Sequence, residues 1–125
     1  MILLDTSALI ELADETEKGI KVAEYCNREQ AAISTFTINE VLITANEEEK
    51  IAFEKIFEKS IILSFNKESA YKSIEIEKEL RKEGKMIGKI DIFIASIAVC
   101  QNISILTTNN DFKKIKGLKT IIVDN

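Results

Sequence analysis

Five short apolar runs, Ile2–Leu4, Ala31–Ser34, Ile61–Leu63, Ile103–Leu106 and Thr120–Val123, alternate along this chain with segments of helical spacing. Runs of this length, β-rich and bounded by polar residues, are too short for buried helices and are predicted as strands. Between them Ala52, Phe53, Ile56 and Phe57 share one helical face, and Ala70, Tyr71, Ile74 and Leu80 another, with Glu68–Lys72 and Glu77–Arg81 spaced four apart. Strands separated by helices are joined by right-handed crossovers and pair in parallel. The expected fold class is α/β, a three-layer α/β/α sandwich around a mostly parallel sheet of about five strands. With 125 residues, no Pro, no repeat and no linker, residues 1–125 read as a single domain.

Composition removes whole classes of chemistry. There is no histidine, so there is no Ser-His-Asp triad, no Cys-His nucleophile pair, no His-ligated zinc and no His pair to cut RNA by attack of its 2′-hydroxyl. Proton chemistry falls to carboxylates, Lys, Tyr or metal-bound water. Cys26 and Cys100 are expected to be reduced core residues. No stretch approaches the roughly 20 apolar residues of a membrane span, and Met1–Leu4 meets Asp5 too soon for a signal peptide. A cytoplasmic protein without membrane association is expected.

Aspartate is scarce, five against sixteen Glu, and its placement is informative. Asp5 closes the first strand in Leu3-Leu4-Asp5-Thr6-Ser7, Asp91 opens the apolar segment Ile92–Cys100, and Asp111 follows the fourth strand after Thr108-Asn109-Asn110. Glu40 falls in Thr37-Ile38-Asn39-Glu40, which reads as a capping box at the start of a helix. Each acid taken singly can be a helix cap. Three of the four, however, follow strands of a parallel sheet, whose carboxyl ends share one edge and build the crevice of open α/β folds. Carboxylates gathered there repel and resist desolvation, so they take up protons or bind cations. An all-oxygen set without His suits Mg²⁺ or Mn²⁺, and such an ion can activate water and neutralise a phosphate.

These residues, with Ala8-Leu9-Ile10 after Ser7, Val41 after Glu40, Ile94-Ala95 after Asp91 and Leu106-Thr107-Thr108-Asn109-Asn110-Asp111-Phe112, resemble the four ordered motifs of PIN-domain nucleases. The short form resembles VapC, the toxin of type II toxin–antitoxin pairs. The resemblance implies a Mg²⁺- or Mn²⁺-dependent endoribonuclease that hydrolyses RNA, forms a homodimer and is inhibited by a VapB-type antitoxin. It places Asp5 and Asp91 as principal metal-ligating acids, with Glu40 and Asp111 completing the catalytic set. Ser7 is the D-x-S hydroxyl within the site, and Thr107 or Thr108 orients ligands from behind. Many relatives carry a second acid where this chain has Asn109, so one tight metal site and a weaker second one are expected.

The net charge of −4 opposes RNA binding, which draws its affinity from Lys and Arg on phosphates. Lys85, Lys89, Lys113 and Lys114 flank Asp91 and Asp111 and are expected to guide the backbone. Rival readings are a phosphoaspartate protein, which lacks here its paired acids at the first strand, and a catalytically silent PIN-fold module binding RNA or protein. Mn²⁺ titration of the RNA-free chain is expected to show one tight site; two equally tight sites would contradict the reading of Asn109.

Overall fold

The computed structural model describes residues 1–124; residue 125, the last of the expected domain, lies outside them. Five strands form one sheet: β1 (Ile2–Leu4), β2 (Ala31–Ser34), β3 (Ile61–Leu63), β4 (Ser104–Thr107) and β5 (Thr120–Ile122). All neighbours are parallel and the order is β3-β2-β1-β4-β5. The fourth strand begins one residue later than expected because Asn102 adopts a left-handed conformation and the Ile103 N–H still bonds to Ala98 O at 3.1 Å, ending the preceding helix.

Six helices cover the sheet: α1 (Thr6–Ala13), α2 (Glu17–Arg28), α3 (Thr35–Leu42), α4 (Glu47–Glu58), α5 (Lys67–Glu83) and α6 (Lys89–Gln101). Side-chain alternation along the strands divides the interior into two cores. Ile2, Leu4, Ile33 and Leu106 point into one, with Leu9, Val22, Val41 and Phe53 from α1 to α4. Leu3, Ala32 and Ile105 point into the other, with Ile76 and Leu80 of α5 and Ile92 and Ile94 of α6. The three-layer α/β/α sandwich is thus built as the alternation predicts. Among the described residues no helix is long and apolar enough to cross a membrane.

The buried face of α5 differs from the expected one. Ser69, Ser73, Ile76 and Leu80 face inward, whereas Tyr71 and Ile74 are 64% and 50% exposed. The helix leans on α6, whose centre carries Ala95, Ser96 and Ala98, and small serines allow that approach where larger side chains are excluded. Phe36, Phe65 and Phe93 close the same core near the ends of β2 and β3, with ring centroids 4.7–5.5 Å apart. Cys26 and Cys100 are unpaired, as expected, but only half-buried.

Gly19 lies buried where α2 crosses α1, and a Cβ there would collide with the Glu11 carbonyl. Helix propensity alone favours Gly19→Ala by about 1 kcal/mol. The collision reverses that sign, and the variant is expected to lose about 1–3 kcal/mol in urea unfolding.

Candidate active site

The carboxyl ends of β1, β2 and β4 set the frame. The register pairs Leu4 with both Ile33 and Leu106, so the next step brings Asp5 alongside Ser34 on one side and Thr107 on the other. The order in which strands are added across the sheet reverses between β1 and β4, the place where open parallel sheets form their crevice.

Asp5 is 3% exposed and caps α1. Its Oδ1 accepts from the Ala8 N–H at 3.0 Å and the Ser7 hydroxyl at 2.8 Å, and its Oδ2 accepts from the Thr107 hydroxyl at 2.6 Å. Thr107 Oγ1 in turn accepts from the Asn109 N–H at 2.9 Å, and Ser7 Oγ from the Thr108 N–H at 3.0 Å. Ser7 and Thr107 support the acid by their hydroxyls, while Thr108 takes part through its backbone. Burial pushes the Asp5 carboxyl above its ordinary value despite these three donors, and the charge of Glu40 adds to the effect.

Glu40 reaches the edge differently from the expectation. Ser34, at the end of β2 and extended in backbone, caps α3 by accepting from the Thr37 N–H at 3.2 Å, so no Thr37–Glu40 capping box forms. The helix starts earlier, and Glu40 sits exposed in its second turn. It accepts from the Thr6 hydroxyl at 2.7 Å, and Thr6 Oγ1 lies 3.1 Å from Thr37 Oγ1. The sequence reading missed Thr6 and Thr37 as supports; the signal present was a hydroxyl beside Asp5 and another one turn before Glu40.

Asp91 lies half-buried in the first turn of α6, where no side chain caps the helix at Gly88. Its carboxyl is pushed up to about 6, first by burial and then by the charges of Asp5, Glu40 and Asp111. Asp91 therefore feels three acids from remote parts of the chain. Asp111, in the 3-10 turn Asn110–Lys114, is the outlier: Lys114 Nζ stands 3.1 Å from its Oδ1. Asn109 directs its oxygen to the Asp111 N–H at 2.9 Å, capping that turn.

Among the described residues no three His, Cys, Asp or Glu side chains close into a ready-made ion cage. Asp5, Glu40 and Asp91 have no cationic partner among the described residues, whereas Asp111 has Lys114. Their donor set still fits a hard cation, since Mg²⁺ keeps several waters and needs only one or two carboxylates. The lysines expected to guide RNA are mostly engaged with acids: Lys85 with Glu83 at 3.5 Å, Lys89 with Glu77 at 2.5 Å and Lys114 with Asp111, while Lys113 is exposed.

A parallel five-stranded sheet with acids gathered around Asp91 at its carboxyl edge defines a class. Residues 2–118 match the PIN domain, and the chain belongs to the PIN-domain family. Within it the chain is VapC-like: it is 34% identical to Ribonuclease VapC1 of Rickettsia felis, across 99% of this chain and 97% of that protein. The fold is similar to VapBC2 from Rickettsia felis bound to a promoter DNA fragment, with TM-score 0.87 at 23% identity over 99% of this chain and 100% of that one. It is also similar to a toxin–antitoxin complex from Klebsiella pneumoniae, with TM-score 0.80 at 21% identity over 100% and 99%.

Asp91 makes a signed prediction. Its folded value near 6 lies above the ordinary 3.8, so the stability it contributes is full below 3.8 and is lost as pH rises through 6. Without divalent cations, Asp91→Asn is expected to stabilise the chain at neutral pH by on the order of 1 kcal/mol, allowing for solvent screening, and to give no gain near pH 4. Thermal unfolding in EDTA across this range checks it; an equal gain at every pH contradicts the assignment.

Proposed function

We propose that this chain is a Mg²⁺- or Mn²⁺-dependent endoribonuclease, a VapC-type toxin inhibited by a VapB-type antitoxin and working as a homodimer in the cytoplasm. The observation that carries the reading is the convergence of Asp5, Glu40, Asp91 and Asp111 at one sheet edge in a chain with no histidine. A relative named Ribonuclease VapC1 at 34% identity supports RNA as the substrate, and the likeness to a toxin–antitoxin complex supports a partner that restrains the chain.

Asp5 and Asp91 would hold the ion, with Glu40 and Asp111 flanking it. When bound, the ion lowers the pKa of water and neutralises charge on the phosphate. The protein's own contribution is orientation. Ser7, Thr107 and the Ala8 N–H fix both oxygens of Asp5, and Thr6 holds Glu40 toward the edge. These donors are neutral, so they position the acids without supplying the positive charge that a cation must bring. Glu40, exposed to solvent, is placed to pass protons outward.

A silent binding module is the second reading, and the Lys114 hold on Asp111 is the feature that suits it. The two are separated by incubating total RNA with the wild-type chain and with Asp91→Asn, in Mn²⁺ and in EDTA. Cleavage is expected only in Mn²⁺, and Asp91→Asn is expected to lower it by about two orders of magnitude or more. Equal cleavage by both proteins, or none by either together with no Mn²⁺ binding, would favour the module.

A further inference from the structure

The chain carries its positive charge unevenly, and its concavities show where. The groove between the end of α1 and the start of α4 is rimmed by Glu15, Glu48 and Glu49, so it repels a polyanion. The hollow between α5 and the turn after β4 contains Lys72, Lys114 and Lys116, but Lys72 pairs with Glu75 at 2.7 Å, Lys114 faces Asp111, and Lys116 lies 3.3 Å from Glu79 and 3.2 Å from Glu83. A third concavity, of about 300 Å³, differs from both. It is lined by Ser73, Ile74, Glu77, Lys78, Arg81 and Lys89, three cations against one carboxylate.

Its cations come from two elements and are held in place. Glu77, on α5 and only 17% exposed, accepts from Arg81 Nε at 2.9 Å through one oxygen and from Lys89 Nζ at 2.5 Å through the other. Lys89 also lies over the Phe93 ring, 5.6 Å from its centroid. Glu77 thus gathers two long side chains, and their hydrogen bonds, that of Lys89 first, hold its carboxyl below the usual range. With only Nε engaged, the guanidinium of Arg81 keeps its outer N–H donors for a second anion, and such forks match phosphate oxygens. Lys78, one turn before Arg81, stands exposed beside it. Lys89 and Asp91 both stand in the first turn of α6, on different faces of it.

We infer that this concavity between α5 and α6 is a phosphate-binding subsite, in which Lys78, Arg81 and Lys89 hold the RNA backbone on its way to the acids and Glu77 positions two of the three cations. The inference rests on the nuclease reading above and names the surface by which an acidic protein holds a polyanion. It narrows the expectation for Lys85, Lys89, Lys113 and Lys114 to Lys89: Lys85 and Lys114 pair with Glu83 and Asp111, and Lys113 does not line this concavity.

The test uses the full chain carrying Asp91→Asn, so that RNA stays uncut. Binding of a single-stranded RNA oligonucleotide is measured across a salt series, with and without Lys78→Gln and Arg81→Gln together. The double variant is expected to bind about tenfold more weakly at low salt, with a salt slope smaller by about 1.4, the value for two lost phosphate contacts on a single strand. Glu77→Gln removes the charge that gathers Arg81 and Lys89 and is expected to weaken binding several-fold with a smaller salt slope at unchanged melting temperature. A merely structural Glu77 would instead lower the melting temperature and leave the slope as it was.

Unchanged affinity and slope in the double variant, with unchanged melting temperature and with the wild-type chain still cutting RNA, would overturn the subsite and leave the nuclease reading standing. Unchanged affinity accompanied by a changed sedimentation state would assign the concavity to a protein contact and equally overturn it. Absence of RNA binding by every variant, together with absence of cleavage by the wild-type chain, would remove the nuclease reading itself.

Discussion

A carboxylate buried at the centre of a parallel sheet has to be held by something, and in this molecule the hydrogen bond from Thr107 to Asp5 is the interaction on which the rest of the site depends. It joins the ends of β1 and β4 at the point where the chain reverses its progress across the sheet. Ser7 and Thr108 add a second tie between the same two segments, again by a hydroxyl and a backbone N–H. Removing the hydroxyl of Thr107 would leave an acceptor and the Asn109 N–H unpaired in a fully buried place, the costly kind of loss.

The neutrality of these supports matters as much as their geometry. Lysine or arginine beside Asp5 would satisfy its charge and stabilise the fold, and it would also remove the attraction for a cation. Hydroxyls and amides fix the carboxylate while leaving its charge in place, so Asp91 feels it undiminished together with Glu40 and Asp111. The edge is therefore a region of like charge, carried on two apolar cores that lie beneath it. The cations are displaced to the outer faces of α5 and α6, where Glu77 collects them. Of the four acids only Asp111 pairs with a lysine among the described residues.

How much of this was legible in the sequence follows from whether the deciding interaction was local. The strands were readable because each is an apolar run bounded by polar residues, and the parallel sheet followed from the helices between them. Asp5, Glu40, Asp91 and Asp111 were readable as candidates because they stand after strands or at helix starts, and the resemblance to PIN-domain nucleases added Ser7 and Thr107. The start of α3 was misplaced because Thr37 and Glu40 have the spacing of a capping box. Ser34 has an equally good hydroxyl and the extended backbone of a strand end, so the helix begins there. The inward face of α5 was misjudged because Tyr71 and Ile74 satisfy the apolar periodicity, whereas close packing against α6 admits Ser69 and Ser73 instead. The lysines beside Asp91 were singled out by proximity along the chain, but their partners Glu77 and Glu83 are chosen in space.

What the sequence by itself determined was the succession of strands and helices, the exclusion of imidazole chemistry and the identity of the acids, since these depend on residue type and spacing of a few positions. Only the tertiary structure decided that those acids share one edge, that Asp5 is held by Thr107 from across the sheet, and that Glu77 gathers Arg81 and Lys89. The physical reason is range: propensity and periodicity act over a turn or a strand, whereas hydrogen bonds and charges act over a few ångströms of space, and the register of a parallel sheet brings distant residues within that reach.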